Sequence, residues 1–180
     1  MIRAARAWLA LSLLAILAAC GGGDSAPGAS HPPRFLSYSG PPVTQIVVNK
    51  SDRMMYLVSG KTVLKSYKVA LGGQPTGAKQ VEGDGKTPEG IYFIDRFNPR
   101  SAYHLSVGVS YPNTQDTARA LAMGMRPGGD IFIHGRGREG ARAAAAKKVD
   151  WTAGCIAVED SEIEEIFAMV QGGVPVVINP

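Results

Sequence analysis

Asp130-Ile131-Phe132-Ile133-His134-Gly135, and after it Trp151-Thr152-Ala153-Gly154-Cys155-Ile156-Ala157-Val158, decide how the rest of the chain is read. A short apolar run delivers a histidine to a strand end marked by glycine. Twenty-one positions later a cysteine stands between a glycine and a second apolar run. A nucleophilic thiol needs a base within hydrogen-bond reach, and the two need not be close in sequence. His134 and Cys155 are the candidate pair, with a thiolate and imidazolium expected near neutral pH. The structural alternatives are a small buried thiol, since free cysteine is among the most buried types, and a hydrogen-bonded histidine at a strand end.

Upstream, residues 45–49 and 54–58 read as strands around an Asn49-Lys50-Ser51-Asp52 turn. Residues 63–71 alternate as a third strand after Ser59-Gly60-Lys61, and Met54-Met55 reads as core filling. Residues 72–90 form a long polar loop whose length suggests a binding rim. Its Gly85-Lys86-Thr87 is not a phosphate-binding loop: the earlier glycine would fall at Gln80, and Pro88 stands where a helix should begin. Residues 90–95 and 103–110 read as strands, and 114–124 as a short helix stopped by Gly124.

Downstream, Arg136, Gly137 and Arg138 lead into a helical turn over 141–148 and a strand over 154–158. Asp160 or Ser161 should cap a helix, because Ser161-Glu162-Ile163-Glu164 fits a capping box. Ile163, Ile166, Phe167 and Val170 recur at helical spacing. Residues 174–178 close the chain as a strand, with Pro175 arguing for an edge position. The expected fold class is mostly β with a few helices.

The N-terminus reads differently. Arg3 and Arg6 precede an apolar run, Ala7 to Ala19, too short to span a bilayer as a stable anchor. That is the pattern of an export signal. Leu17-Ala18-Ala19-Cys20-Gly21 resembles the bacterial lipobox, which implies cleavage before Cys20 and lipidation of its sulfur. The expected segments are a signal over 1–19, the lipidated Cys20 with a flexible linker over 20–42, and one catalytic domain over 43–180. A lipid-anchored protein on the periplasmic side of the outer membrane follows if the source is Gram-negative. A plain secretory signal is the alternative. His31 falls in the linker as a solvated residue. With Cys20 lipidated, Cys155 is the one remaining thiol of two cysteines. Exported chains usually pair their cysteines, so the lone thiol calls for a reason. Without Arg3 and Arg6 the 19 basic residues become 17 against 15 acidic, a balance of +2, which gives no argument for nucleic acid. No paired-histidine or Cys-x-x-Cys spacing suggests zinc, and no cofactor is expected.

His134-Gly135 and Thr152-Ala153-Gly154-Cys155 resemble the His-Gly and Ser/Thr-x-Gly-Cys signature of the YkuD-type L,D-transpeptidases of bacterial cell walls. Gly83-Asp84-Gly85-Lys86-Thr87-Pro88-Glu89-Gly90 and Ser110-Tyr111-Pro112-Asn113 resemble the same family, in the same order, over about 43–180. The resemblance implies a β-sandwich or barrel with one or two packed helices. It implies a cysteine nucleophile, a histidine that moves the proton, and peptidoglycan stem peptides as substrate. Gly135 offers only its carbonyl to orient His134, and the backbone N–H groups of Gly154 and Cys155 are the natural oxyanion donors. Tyr111, Trp151, Thr152, Ala153, Arg136 and His104 are candidate substrate-binding residues; a turn anchor, loop packing, a solvated charge and a structural histidine are the plainer roles. Where the common form of the family carries arginine two residues after the cysteine, this chain has Ala157. Cys155-Ile156-Ala157-Val158 resembles a branch of the family that carries Cys-Ile-Ala-Val, some members of which are similar to hydrolases that release peptides or proteins from peptidoglycan. Three functions therefore stand: a transpeptidase, a hydrolase of an L,D-peptide or protein–peptidoglycan bond, and an inactive wall-binding adaptor; the expected partners are peptidoglycan stem peptides and a wall-linked lipoprotein.

Overall fold

In the computed structural model residues 32–180 are described; the leader, Cys20 and His31 lie outside them. The sheet begins with β1 (Gln45–Asn49), β2 (Met54–Ser59) and β3 (Thr62–Lys68), a meander of antiparallel neighbours. Strict alternation drives it: Ile46, Val48, Met55 and Leu57 point into the core and are fully buried. A long hairpin follows, β4 (Gly90–Ser101) with β5 (His104–Val109). After α1 (Thr114–Ala122) come β6 (Phe132–His134), α2 (Gly137–Ala145), β7 (Ile156–Ala157), α3 (Asp160–Met169) and β8 (Pro175–Asn179).

The strand order is β3-β2-β1-β8-β4-β5-β6-β7. Its two ends meet. Just beyond β3, Ala70 exchanges two backbone hydrogen bonds of 2.9 and 2.8 Å with Ala157 of β7, and Gly72 bridges to Thr152. The order thus closes on itself as in a barrel, which removes a free edge beside the cysteine strand. α3 packs against β5 and β6 and sends Ile163 and Ile166 into the core. The mostly-β class holds, with three helices rather than one or two among the described residues.

Several boundaries differ from the sequence expectation. β8 is not an edge strand: it lies between β1 and β4. Pro175 is tolerated because it is the strand's first residue, and the ladder with β1 begins only at Val176. α2 starts at Gly137, earlier than residue 141, from a Gly/Arg opening that has no apolar period and no side-chain cap. The cap of α3 is Glu159, whose capping box closes with Glu162. Asp160 Oδ1 is engaged by the Arg136 and Gly137 backbone N–H groups. Part of the expected flexible linker is docked. The Arg34 backbone N–H and Nε donate to the two carboxylate oxygens of Glu164 at 2.7 and 3.1 Å, and Phe35 packs edge-on to Phe167.

Candidate active site

His134 ends β6, and Cys155 immediately precedes β7. These strands are parallel neighbours, with Ile133 opposite Ile156 and His134 opposite Ala157. Side chains two apart on a strand share a face, so Cys155 and Ala157 face the same way as His134. Both functional groups line one cavity of about 300 Å3, walled by the tip of the β4–β5 hairpin and by Ser106, Asp130 and Phe132.

The histidine is held on three sides. Its Nδ1 lies 2.6 Å from the Gly135 carbonyl oxygen. A carbonyl only accepts, so Nδ1 carries the hydrogen and Nε2 keeps its lone pair. The Tyr103 ring lies over the imidazole with centroids 4.4 Å apart, and Trp151 meets it edge-to-face at 5.7 Å. Burial pushes the His134 pKa below its ordinary value, opposed by the Gly135 hydrogen bond and the Asp160 charge.

The thiol donates to the Asp130 carbonyl at 3.4 Å. Burial pushes its pKa up, the Phe132 backbone amide pulls it down, and the Asp130 charge pushes it up again. Both shifts favour the neutral partners. Both directions run against the thiolate and imidazolium expected from the sequence, because the cavity removes water from both groups.

Glycine is required at 154. Its φ of +136° is outside the range side chains adopt, and a Cβ would sit 2.6 Å from the Lys86 carbonyl oxygen. The 72–90 loop is thus the floor beneath Gly154; none of its residues lines the Cys155 cavity. That floor is rigidly built. Asp84 accepts backbone N–H groups of Gln80, Val81 and Lys86 and the Lys79 ammonium. Lys50 Nζ donates to Gly77, Thr87 and Glu89, and Thr87 Oγ1 accepts the Gly72 N–H.

The Gly154 N–H is not free for an oxyanion. It donates to Thr152 Oγ1 at 3.1 Å, while that hydroxyl donates to the Cys155 carbonyl at 2.7 Å. Thr152 therefore shapes the cysteine turn from behind. Ala153 is exposed at the crest of that turn. Arg136 is bound by Glu159 at 2.7 Å. Tyr111 is buried outside the cavity, its hydroxyl donating to the Pro127 carbonyl and its ring edge-on to Tyr92. His104 is buried with Nε2 2.9 Å from Glu164 and is not in the cavity either. Sequence reasoning missed Tyr103, Ser106, Asp130 and Phe132. Strand register would have found Ser106, which pairs with His134 across β5 and β6.

A family model for the L,D-transpeptidase catalytic domain (YkuD) matches residues 43–178. The chain belongs to this family. Among its relatives is an Escherichia coli K12 protein named "Putative L,D-transpeptidase YafK", 30% identical over 137 residues, which cover 73% of this chain and 48% of that one. The crystal structure of Pgp2, a helical cell shape determining protein of Campylobacter jejuni, superposes with a TM-score of 0.59 at 29% identity, covering 83% of this chain and 51% of that one. Bd1075 of Bdellovibrio bacteriovorus shares the fold at 22% identity and a TM-score of 0.50, over 76% of this chain and 48% of that one. The chain spans about half the length of the curated relatives it matches. This L,D-transpeptidase family domain carries its histidine at the end of one strand and its cysteine just before the adjacent parallel strand, both lining one cavity.

Proposed function

We propose that the chain is a cysteine-dependent acyltransferase acting on peptidoglycan stem peptides at an L-to-D bond. The observation that carries this reading is that His134, fixed as the Nδ1–H tautomer, and Cys155 line the same cavity. As the sulfur attacks the scissile carbonyl, its proton passes to His134 Nε2. The carbonyl becomes a tetrahedral oxyanion. The imidazolium then gives that proton to the departing D-amino acid nitrogen, the C–N bond breaks, and a thioester remains on Cys155. An incoming amine attacks the thioester, loses a proton to His134, and expels the thiol as a new peptide bond forms.

Hydrolysis of the same thioester is the second reading. It is favoured by Ala157, buried two residues after Cys155, whose methyl side chain brings no guanidinium where the common form of the family carries arginine. Labelled tetrapeptide muropeptides separate the two by product mass: dimers or exchanged terminal residues mark transfer, and shortened stems alone mark hydrolysis. An inactive adaptor would give neither. The leader pattern and Cys20 support export and lipid anchoring. Metabolic labelling with palmitate, lost in Cys20→Ala, tests this.

A further inference from the structure

Arg100 and Arg138 differ from every other arginine among the described residues. Each of the others has a carboxylate oxygen within 3.3 Å. Arg100 and Arg138 have none, and both line one cleft of about 570 Å3 between the β4–β5 hairpin tip and the start of α2. No acidic residue lines that cleft. Ser101 and Ala102 wall this cleft on one side and the Cys155 cavity on the other. We propose that the cleft is a subsite for a carboxylate of the peptide substrate, gripped by Arg100 and Arg138 while the acyl carbon lies at Cys155. This rests on the acyl-transfer reading. A guanidinium with no internal partner holds a carboxylate in two parallel hydrogen bonds without first breaking an ion pair.

The carboxylate belongs to the acyl donor or to the acceptor, and two measurements separate these. In the first, a stem tetrapeptide and its amidated counterpart are titrated onto Cys155→Ala protein by calorimetry. In the second, a Cys155 thioester formed from the tetrapeptide is resolved by a D-amino acid or by its amide. Arg100→Ala/Arg138→Ala is expected to weaken one of the two by about tenfold or more. Amidation should cost the unaltered protein the same factor and cost the variant nothing further. Loss in the first measurement assigns the donor; loss in the second assigns the acceptor. Equal loss with acid and amide, no loss, or no binding in the first and no acid-over-amide preference in the second overturns the subsite. Charge-dependent binding without any turnover by the unaltered protein would retain the subsite and defeat acyl transfer.

A different observation carries a second inference. The Gly135–Arg136 peptide group is engaged at both ends. Its carbonyl accepts from His134 Nδ1 at 2.6 Å, and its N–H donates to Asp160 Oδ1 at 2.7 Å. The same oxygen accepts the Gly137 N–H at 3.0 Å. Peptide resonance transmits polarisation, so a carboxylate on the N–H makes the carbonyl a better acceptor. We infer that Asp160 is a positioning residue that acts on His134 through this peptide plane and favours its charged form. The other groups facing the pair are Tyr103 and Trp151 around the imidazole, Cys155 in the shared cavity, and His104 with Nδ1 4.0 Å from Asp160 Oδ2. Asp160→Asn keeps an acceptor oxygen for both N–H groups and removes the charge. Its His134 pKa, read by nitrogen NMR, is expected to fall, with a tenfold fall in the proton affinity for each unit. The acylation rate should drop with it. An unchanged pKa in folded Asp160→Asn overturns the inference, whatever the activity.

Discussion

The Gly135 carbonyl oxygen lies 2.6 Å from His134 Nδ1, so the residue next to the histidine fixes which of its nitrogens is basic. Because burial lowers the His134 pKa, the imidazole stays neutral, and able to accept the thiol proton, below the ordinary histidine value of about 6.5. The acid limb of kcat/KM for acylation should therefore fall below about pH 6.5. A limb at or above that value would contradict a desolvated base.

Cys155 behaves in the complementary way. Burial raises its pKa, so alkylation by iodoacetamide should be slow at pH 7 and still climb through the range where an ordinary thiol has levelled off. His134→Ala should leave this simple alkylation within a few-fold and yet abolish acylation by substrate, where proton transfer accompanies attack. A fast, flat alkylation profile near neutral pH would instead show a preformed ion pair.

Gly154→Ala places a Cβ against the Lys86 carbonyl oxygen at a φ of +136°. Backbone strain of this kind costs about 1–3 kcal/mol before the clash is added. Denaturant unfolding should show at least that loss, and thioester formation should fall about a hundredfold or more. Near-native values would mean that the cysteine turn does not rest on the 72–90 loop.

Thr152→Val removes a hydroxyl that joins the Gly154 N–H to the Cys155 carbonyl. The expected destabilisation is about 1–3 kcal/mol, from buried polar groups left unpaired, and Thr152→Ser should recover most of it. If freeing the Gly154 N–H raised the acylation rate in Thr152→Val, Gly154 would regain the oxyanion role.

Asp84 has its pKa held at about 2: burial alone would raise it, and hydrogen bonds from Gln80, Lys79, Lys86 and Val81 outweigh that. A carboxylate with a depressed folded pKa contributes stability above its unfolded pKa, and the contribution is lost as pH falls toward 2. Asp84→Asn should cost about 2 kcal/mol at pH 7. The gap between it and the unaltered chain should close between about pH 4 and pH 2 in thermal melts. A gap independent of pH would place the effect in packing alone.

The sequence made some of this legible and hid the rest for physical reasons. β1 and β2 alternate cleanly because one face is buried, and the His-Gly and Thr-x-Gly-Cys motifs mark strand ends where function sits. β7 is too short to show a period, with only Ile156 and Ala157 in it. Its closure onto Ala70 depends on backbone pairing that no side chain announces. Pro175 misled because its missing N–H matters only where a partner is present. Asp160 read as a helix cap because acidic residues favour that place, yet its carboxylate is spent on the Arg136 and Gly137 amides. Tyr111, in a motif shared with the family, and His104, by residue type, were candidate substrate contacts, and tertiary packing put both outside the Cys155 cavity.

Acyl transfer requires Cys155 to become acylated with His134 moving the proton. Intact-protein mass spectrometry after mixing with a stem tetrapeptide measures this most directly. The predicted result is a covalent adduct of the tripeptide acyl group on Cys155, with release of the terminal D-amino acid, absent in Cys155→Ala and His134→Ala. Release of the D-amino acid by Cys155→Ala, or no adduct and no release in the unaltered chain, would contradict it.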